Sequence, residues 1–368
     1  MTTSQDTYPL HFDLIPSATA RAEAEREAML ADPGFGKYFT DHMVSIEWTT
    51  NEGWHDARVL PYGPLTLDPA ASVFHYAQEI FEGIKAYRHA DGSVWTFRPE
   101  SNGRRLQRSA ARLALPSLAV EDFVESLRQL VRVDASWVPS APETSLYLRP
   151  FMIATESFLG VRAAHRVGYF VIASPAGAYF AGGVEPVSIW LSTNYSRAGK
   201  GGTGAAKTGG NYAASLLPQE EAYENGCSQV LFLDPVDTTY IEELGGMNVV
   251  FVMKDGTIVT PESASILEGI TRDSILQLAA DRGHTVERRK ISLDEWREGV
   301  ASGEIVEVFA CGTAAVVVPI AELKGDGFSI VSPVAGPDSL TLSLRAELTD
   351  IQYGRRADPH GWLTRLDA

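Results

Sequence analysis

Cysteine is nearly absent: Cys227 and Cys311 are the two in 368 residues. Neither a disulfide framework nor a cysteine-rich zinc module fits so few thiols. Basic residues are in deficit, 31 Lys and Arg against 47 Asp and Glu, giving a net charge of −16. A nucleic-acid-binding surface is therefore not expected, while a local basic pocket for a small anion stays open. No apolar run approaches the ~18 residues that a membrane-spanning helix requires. The first basic residue is Arg21, so the charged start of a secretory signal is not expected either. Internal repeats and low-complexity tracts are missing too. What remains is an ordinary globular mixture, 45% hydrophobic and 21% charged. Its length suggests two domains, in a cytoplasmic protein with neither membrane nor nucleic acid as partner.

Strand and helix signals alternate along both halves. A short polar helix is expected over 18–30 and a strand over 43–49. Strands 83–89 and 93–98 flank the Asp91-Gly92 turn. Helices follow over 102–112 and 120–133, the second with Phe123, Leu127, Leu130 and Val131 on one stripe. Strands return over 145–149 and 168–174. The segment 175–186 is rich in Gly, Pro and Ala and reads as an ordered connector between an N-terminal domain, 1–174, and a C-terminal domain, 187–368. Beyond it come strands 187–192 and 229–233, a helix near 212–225, a hairpin of 247–254 with 257–260, a helix 270–282 and a strand 304–309. This mixture predicts an α/β (mixed α+β) protein of two domains with the chemistry in a cleft between them.

The most unusual stretch is 197–212, RAGKGGTGAAKTGGNY. It admits three readings: a surface loop, a nucleotide-binding loop, or the surroundings of a Schiff-base lysine. Gly199, Gly201 and Gly204 match G-x-G-x-x-G, and Gly201 to Thr208 approaches a Walker sequence. Against a P-loop, Ala206 replaces the glycine before the lysine. Gly209 and Gly210 would also burden the following helix by about 1 kcal/mol each. In the third reading Lys207 is a nucleophilic amine for an aldehyde cofactor such as pyridoxal phosphate. Such a cofactor needs a phosphate cup and a carboxylate for its ring nitrogen. Gly269-Ile270-Thr271 at a helix start, Gly312-Thr313-Ala314 after a strand, and the Glu242-Glu243 corner are candidates.

Taken together, the segments FGKYFTDHM (35–43), HYAQEIFEGIKAYR (75–88), YLRPFMIATESFLGV (147–161), AGAYFAGG (176–183), KTGGNYAAS (207–215), ELGGMN (243–248), EGITR (268–272) and CGTAAVVVP (311–319) resemble the branched-chain amino-acid aminotransferases. These are fold-type IV pyridoxal phosphate enzymes with a D-amino-acid aminotransferase-like fold. The resemblance spans nearly the whole chain from Phe35. It implies reversible, ping-pong amino transfer between leucine, isoleucine or valine and 2-oxoglutarate, with pyridoxal 5'-phosphate as cofactor and a homodimer as assembly. Alternatives are a D-amino-acid aminotransferase, an aminodeoxychorismate lyase and, remotely, a P-loop protein.

By position, the resemblance makes Lys207 the Schiff-base lysine, Tyr212 the partner of the cofactor's phenolate oxygen and Glu243 that of its ring nitrogen. Arg105, or its neighbour Arg104, would clamp the phosphate with Ile270, Thr271 and Thr313. Tyr147 and Arg149, two apart on a strand, face one side. Arg149 would meet glutamate's side-chain carboxylate. Phe35, Tyr76 and Tyr179 would form the pocket wall, Gly312, Thr313 and Ala314 would receive the α-carboxylate, and Val161 would come from the partner subunit. No metal is implied. Two departures stand out. Ala315 and Val318 occupy the Cys-x-x-Cys positions of animal members, and Gly246 replaces a common threonine.

Overall fold

The structure is a computed structural model that describes residues 9–178 and 184–368. These form two compact units, each with its own sheet and core. The first contains residues 9–178, Ala206–Gly209 and Ile351–Ala368; the second contains 184–205 and Gly210–Asp350. Two stretches that the sequence places in the C-terminal half are thus built into the first unit. The reason for the later one is strand pairing. Leu363–Arg365 hydrogen-bonds to Val94–Phe97, and Leu366 is fully buried beside it.

The first sheet runs Asp13–Leu14, Gly53–Pro61, His42–Thr49, Arg166–Ala176, Ser145–Ala154, Ile84–Arg88, Val94–Phe97 and Leu363–Arg365. Apart from its first pair it is antiparallel, so one face can stay open while the other buries a core. Strand Ser145–Ala154 shows this directly. Leu146, Leu148 and Met152 are buried, whereas Tyr147, Arg149 and Phe151 on the other face are half-buried. Helices Pro99–Arg112 and Val120–Val133 bring Leu106, Phe123, Leu127 and Leu130 into the same core as Leu146 and Leu148. The second helix has the bounds the apolar stripe predicts. The first begins three residues earlier than expected, because Pro99 is well placed at a helix start, where its missing N–H costs nothing.

The second sheet is mixed. Ile241–Leu244, Gln229–Leu233, Val187–Ser192, Val316–Gly325, Ile305–Gly312 and Asn248–Met253 follow one another, and the last pairs back with the first. These six strands therefore close on themselves. The closing pair is Glu243 opposite Asn248, and Asn248 in turn lies opposite Cys311. The helix expected near 212–225 is two helices, Gly209–Ala213 and Leu216–Glu224. The break lets Pro218 fall in the first turn of the second helix, where it is tolerated. Among the described residues, no helix is long and apolar enough to cross a membrane.

Candidate active site

The first unit assembles its candidate residues on strand Glu79–Phe81, helix Pro99–Arg112 and strand Ser145–Ala154. Lys207 is half-buried, and its main chain is tied on both sides. Its N–H donates to Ser109 Oγ at 2.9 Å, and its carbonyl accepts from Phe81 N at 3.0 Å. Glu79 Oε1 accepts from Thr208 Oγ1 at 3.0 Å and also from Gly209 N. An alanine at 209 would place its Cβ 2.7 Å from that oxygen. Burial pushes the Glu79 carboxyl above its ordinary range, against the Gly209 and Thr208 hydrogen bonds and the Arg149 charge. The Lys207 ammonium lies 4.6 Å from the centre of the Phe81 ring. The Arg149 guanidinium lies 4.8 Å from the same centre and 5.3 Å from that of Tyr147.

Tyr147 and Arg149 share a face, as their spacing predicts. Arg149 donates to Tyr147 Oη at 3.2 Å, and Arg149 Nε is buried with no hydrogen-bond partner among the described residues. Gly83 makes this arrangement possible: a Cβ there would meet Tyr147 Oη at 2.0 Å. Phe35, 55% exposed, packs edge-on to Tyr147 with ring centres 5.0 Å apart. Tyr76 is partly exposed and donates to the Leu159 carbonyl at 2.6 Å, while Val161 in the same loop is 89% exposed. Tyr179 lies outside the described residues. Of the two candidate arginines, Arg104 is exposed and Arg105 buried. Arg105 donates to Glu82 through Nε at 2.8 Å and a terminal nitrogen at 2.7 Å, so a carboxylate of this chain already neutralises it. Asn102 donates to the same carboxylate at 2.8 Å.

The second unit centres on Glu243, buried at the closing strand pair. Its Oε1 accepts from Arg197 and from Leu267 N at 2.9 Å, and its Oε2 accepts from Asn248 Nδ2 at 3.2 Å. Burial pushes this carboxyl up, and the Arg197 guanidinium is the strongest influence holding it down. Helix Ile270–Asp281 follows, with Gly269 as its cap and so no side-chain cap hydrogen bond. Gly269 is required there, because a Cβ would lie 1.9 Å from Asn248 Oδ1. Arg272, 6% exposed, has a buried Nε with no partner among the described residues. Gly312, Thr313 and Ala314 form a half-buried turn between two strands, followed by Val316 at φ +64°. A β-branched residue in that region stores strain of about 1–3 kcal/mol. Tyr212 is half-buried in the short helix Gly209–Ala213.

The glycine-rich run is not a phosphate loop. Strand Val187–Ser192 ends well before Gly201, and the helix that follows Lys207 has five residues, Gly209–Ala213. The chemistry on offer is different. The first unit offers a tethered amine and an arginine with a buried N–H that has no partner among the described residues, and the second offers a buried carboxylate held by an arginine and a helix start suited to an anion. That donor set fits a phosphorylated aldehyde cofactor carrying a basic ring nitrogen. Glu79, Glu82, Ser109 and Arg197 escaped the sequence reading. Glu79 and Glu82 lie within the family-like segment 75–88, and that was their only signal.

A fold of two sheet-based units bearing these residues is that of a class IV aminotransferase, and the chain belongs to that family: residues 79–323 match Amino-transferase class IV. The branched-chain-amino-acid aminotransferase of Mycolicibacterium smegmatis is 58% identical over 364 residues, covering 98% of this chain and 99% of its own. A probable branched-chain-amino-acid aminotransferase of Streptomyces coelicolor is 55% identical over 356 residues, 96% of this chain and 98% of its own. Among solved structures, the Escherichia coli branched-chain amino acid aminotransferase superposes with a TM-score of 0.72 at 28% identity. The match covers 88% of this chain and 99% of that one. The branched-chain enzyme from Thermobaculum terrenum, solved in its PLP-bound holo-form, gives 0.71 at 27% identity, covering 87% of this chain and 98% of that one.

Proposed function

We propose that this aminotransferase moves the amino group reversibly between L-leucine, L-isoleucine or L-valine and 2-oxoglutarate, by a ping-pong mechanism with pyridoxal 5'-phosphate. The observation that carries the reading is Lys207 itself. Its main chain is pinned at both ends, and its ammonium shares the Phe81 ring with Arg149. When bound, the cofactor supplies an electron-withdrawing ring that acidifies the substrate's α-carbon. Lys207 Nζ would hold the cofactor at its aldehyde carbon. As a free amine, Lys207 Nζ would be the general base that takes the substrate's α-proton. Glu243 holds a proton at the ring nitrogen, a role supported by its burial and its remaining acceptor capacity at Oε2. Tyr212 would hydrogen-bond the phenolate oxygen, while Ile270 and Thr271 N–H groups and Thr313 would hold the phosphate, with Arg105, which is also paired to Glu82, as the cation.

For the substrates, Arg149 with its unsatisfied Nε pairs with the side-chain carboxylate of glutamate. Phe35, Tyr76, Tyr147 and Tyr179 wall the apolar side chains, and Gly312, Thr313 and Ala314 receive the α-carboxylate. We place the enzyme in the cytoplasm as a homodimer, with Val161 reaching the partner's pocket; its exposure supports that role. Purified protein should be yellow, and hydroxylamine should bleach it. Turnover of L-leucine, L-isoleucine and L-valine with 2-oxoglutarate is expected, and none of the D-forms. Lys207→Ala should abolish it; retained transamination would sink the assignment.

A further inference from the structure

A buried cation of the second unit has no role in this account. Arg197 opens the glycine-rich run and is 7% exposed. Its Nε donates to Glu243 Oε1 at 3.0 Å, and one terminal nitrogen lies 2.6 Å from the same oxygen. That terminal nitrogen also donates to the Gly204 carbonyl at 3.1 Å, seven residues further on, which closes the run into a loop. The other terminal nitrogen is buried with no hydrogen-bond partner among the described residues. Gly204 has no room for a side chain, since a Cβ would lie 2.1 Å from the Ser265 carbonyl oxygen and 2.9 Å from Ala198 Cβ. The glycines thus let a loop fold tightly enough to lay an arginine against one carboxylate oxygen 46 residues away.

We infer that Arg197 is a positioning residue: it fixes the orientation of Glu243, so that Oε2 is the oxygen offered to the ring nitrogen, and the glycine-rich loop serves to deliver it. The inference rests on the reading of Glu243 as the ring nitrogen's partner. Leu267 N shares Oε1 with Arg197, whereas among the described residues Oε2 has the single donor Asn248. A buried carboxylate without a cation takes up a proton and loses a preferred orientation. Two N–H groups on one oxygen hold both the charge and the rotamer. The other charged groups influencing Glu243 are Arg272 and Glu242, and Glu242 Oε1 is occupied by Ser263 and Ser265 hydroxyls. Arg197 is therefore the cation hydrogen-bonded to this carboxylate among the described residues.

The test compares the holoenzyme with R197Q, R197K and E243Q. In R197Q, kcat should fall roughly 10- to 100-fold, the range seen when the outer support of a site is removed. KM for L-leucine should change far less, because the hydrogen bonds of Arg197 go to Glu243 and Gly204 and to none of the proposed substrate-binding residues among the described ones. The pH midpoint of the bound cofactor's visible absorbance should move in R197Q in the direction in which E243Q moves it. R197K keeps the charge but not the fork, and its kcat and absorbance midpoint should lie between those of R197Q and the parent. Without cofactor, R197Q should lose more thermal stability at alkaline than at mildly acidic pH, and R197Q/E243Q should recover it, because the stranded carboxylate is gone. An impaired E243Q beside R197Q with normal kcat and an unmoved absorbance midpoint overturns the proposal. A normal E243Q overturns the reading of Glu243 and this proposal with it. If R197Q does not fold, unchanged kcat and absorbance in R197K overturn it.

Discussion

A methyl group at position 83 tests how tightly the proposed substrate wall is built. In Gly83→Ala the new Cβ would lie 2.0 Å from Tyr147 Oη and 2.9 Å from Cζ. Non-bonded carbons are comfortable at about 3.5–4.0 Å, so the ring must retreat by something on the order of 1 Å. Tyr147 has little freedom to do so. Its strand is paired on both sides, opposite Lys85 and Ser174, its Oη accepts from Arg149 and its ring packs against Phe35. Overpacking of this kind costs about 1–3 kcal/mol. At ~1.4 kcal/mol per factor of ten, the unfolding equilibrium shifts roughly 5- to 150-fold. The urea midpoint should fall at unchanged slope, and KM for 2-oxoglutarate should rise more than KM for leucine. Removing the hydroxyl removes the nearest clashing atom, so Gly83→Ala with Tyr147→Phe should be more stable than the two single changes predict, by ~0.5 kcal/mol or more. Additive effects, or an unshifted midpoint in Gly83→Ala, would refute the close approach.

Three further outcomes follow from buried or capping groups. Glu79→Ala strands Gly209 N and Thr208 Oγ1 and should destabilise by about 1–3 kcal/mol, whereas Glu79→Gln keeps an acceptor and should cost much less in the same urea experiment. Burial pushes the Cys311 thiol up to about 12 and raises that of Cys227; a disulfide reagent at neutral pH should leave both untouched until denaturant is added. Burial pushes the Asp234 carboxyl up, but backbone N–H groups of Asp237, Tyr240, Thr239 and Val236 outweigh it and hold the group below its ordinary value. Its stabilising contribution is present above the unfolded value of ~3.9 and is lost as pH falls through the lower folded value. The melting difference between Asp234→Ala and the parent should accordingly shrink on acidification below that window.

Local elements were legible where one pattern spoke alone. Val120–Val133, Val187–Ser192 and Gln229–Leu233 have the bounds that their apolar periodicity predicts. Strand Ser145–Ala154 extends five residues beyond the 145–149 that the sequence predicts, through Pro150. It continues because the Pro150 carbonyl accepts from Glu82 N, while the missing proline N–H leaves no buried donor unpaired. The late strand Leu363–Arg365 was illegible, since three residues carry no period and their partner lies far back at Val94–Phe97. The site divides in the same way. Lys207, Glu243 and Arg149 stood out through segments that resemble a family. Glu79, Ser109 and Arg197 act through contacts 130, 98 and 46 residues apart, which no local pattern encodes.

The piecewise make-up of the first unit has a consequence for synthesis. Residues 9–178 hold most of its sheet, but Ala206–Gly209 and Ile351–Ala368 are added later along the chain. At about 5–20 residues per second, roughly ten to forty seconds of translation separate the nascent sheet from its final strand. During that interval Val94–Phe97 is an unpaired edge, with the open N–H and C=O groups that recruit foreign strands. Leu366, fully buried in the finished core, arrives last. Maturation is therefore gated by chain order, and aggregation during expression should depend on how long that edge waits.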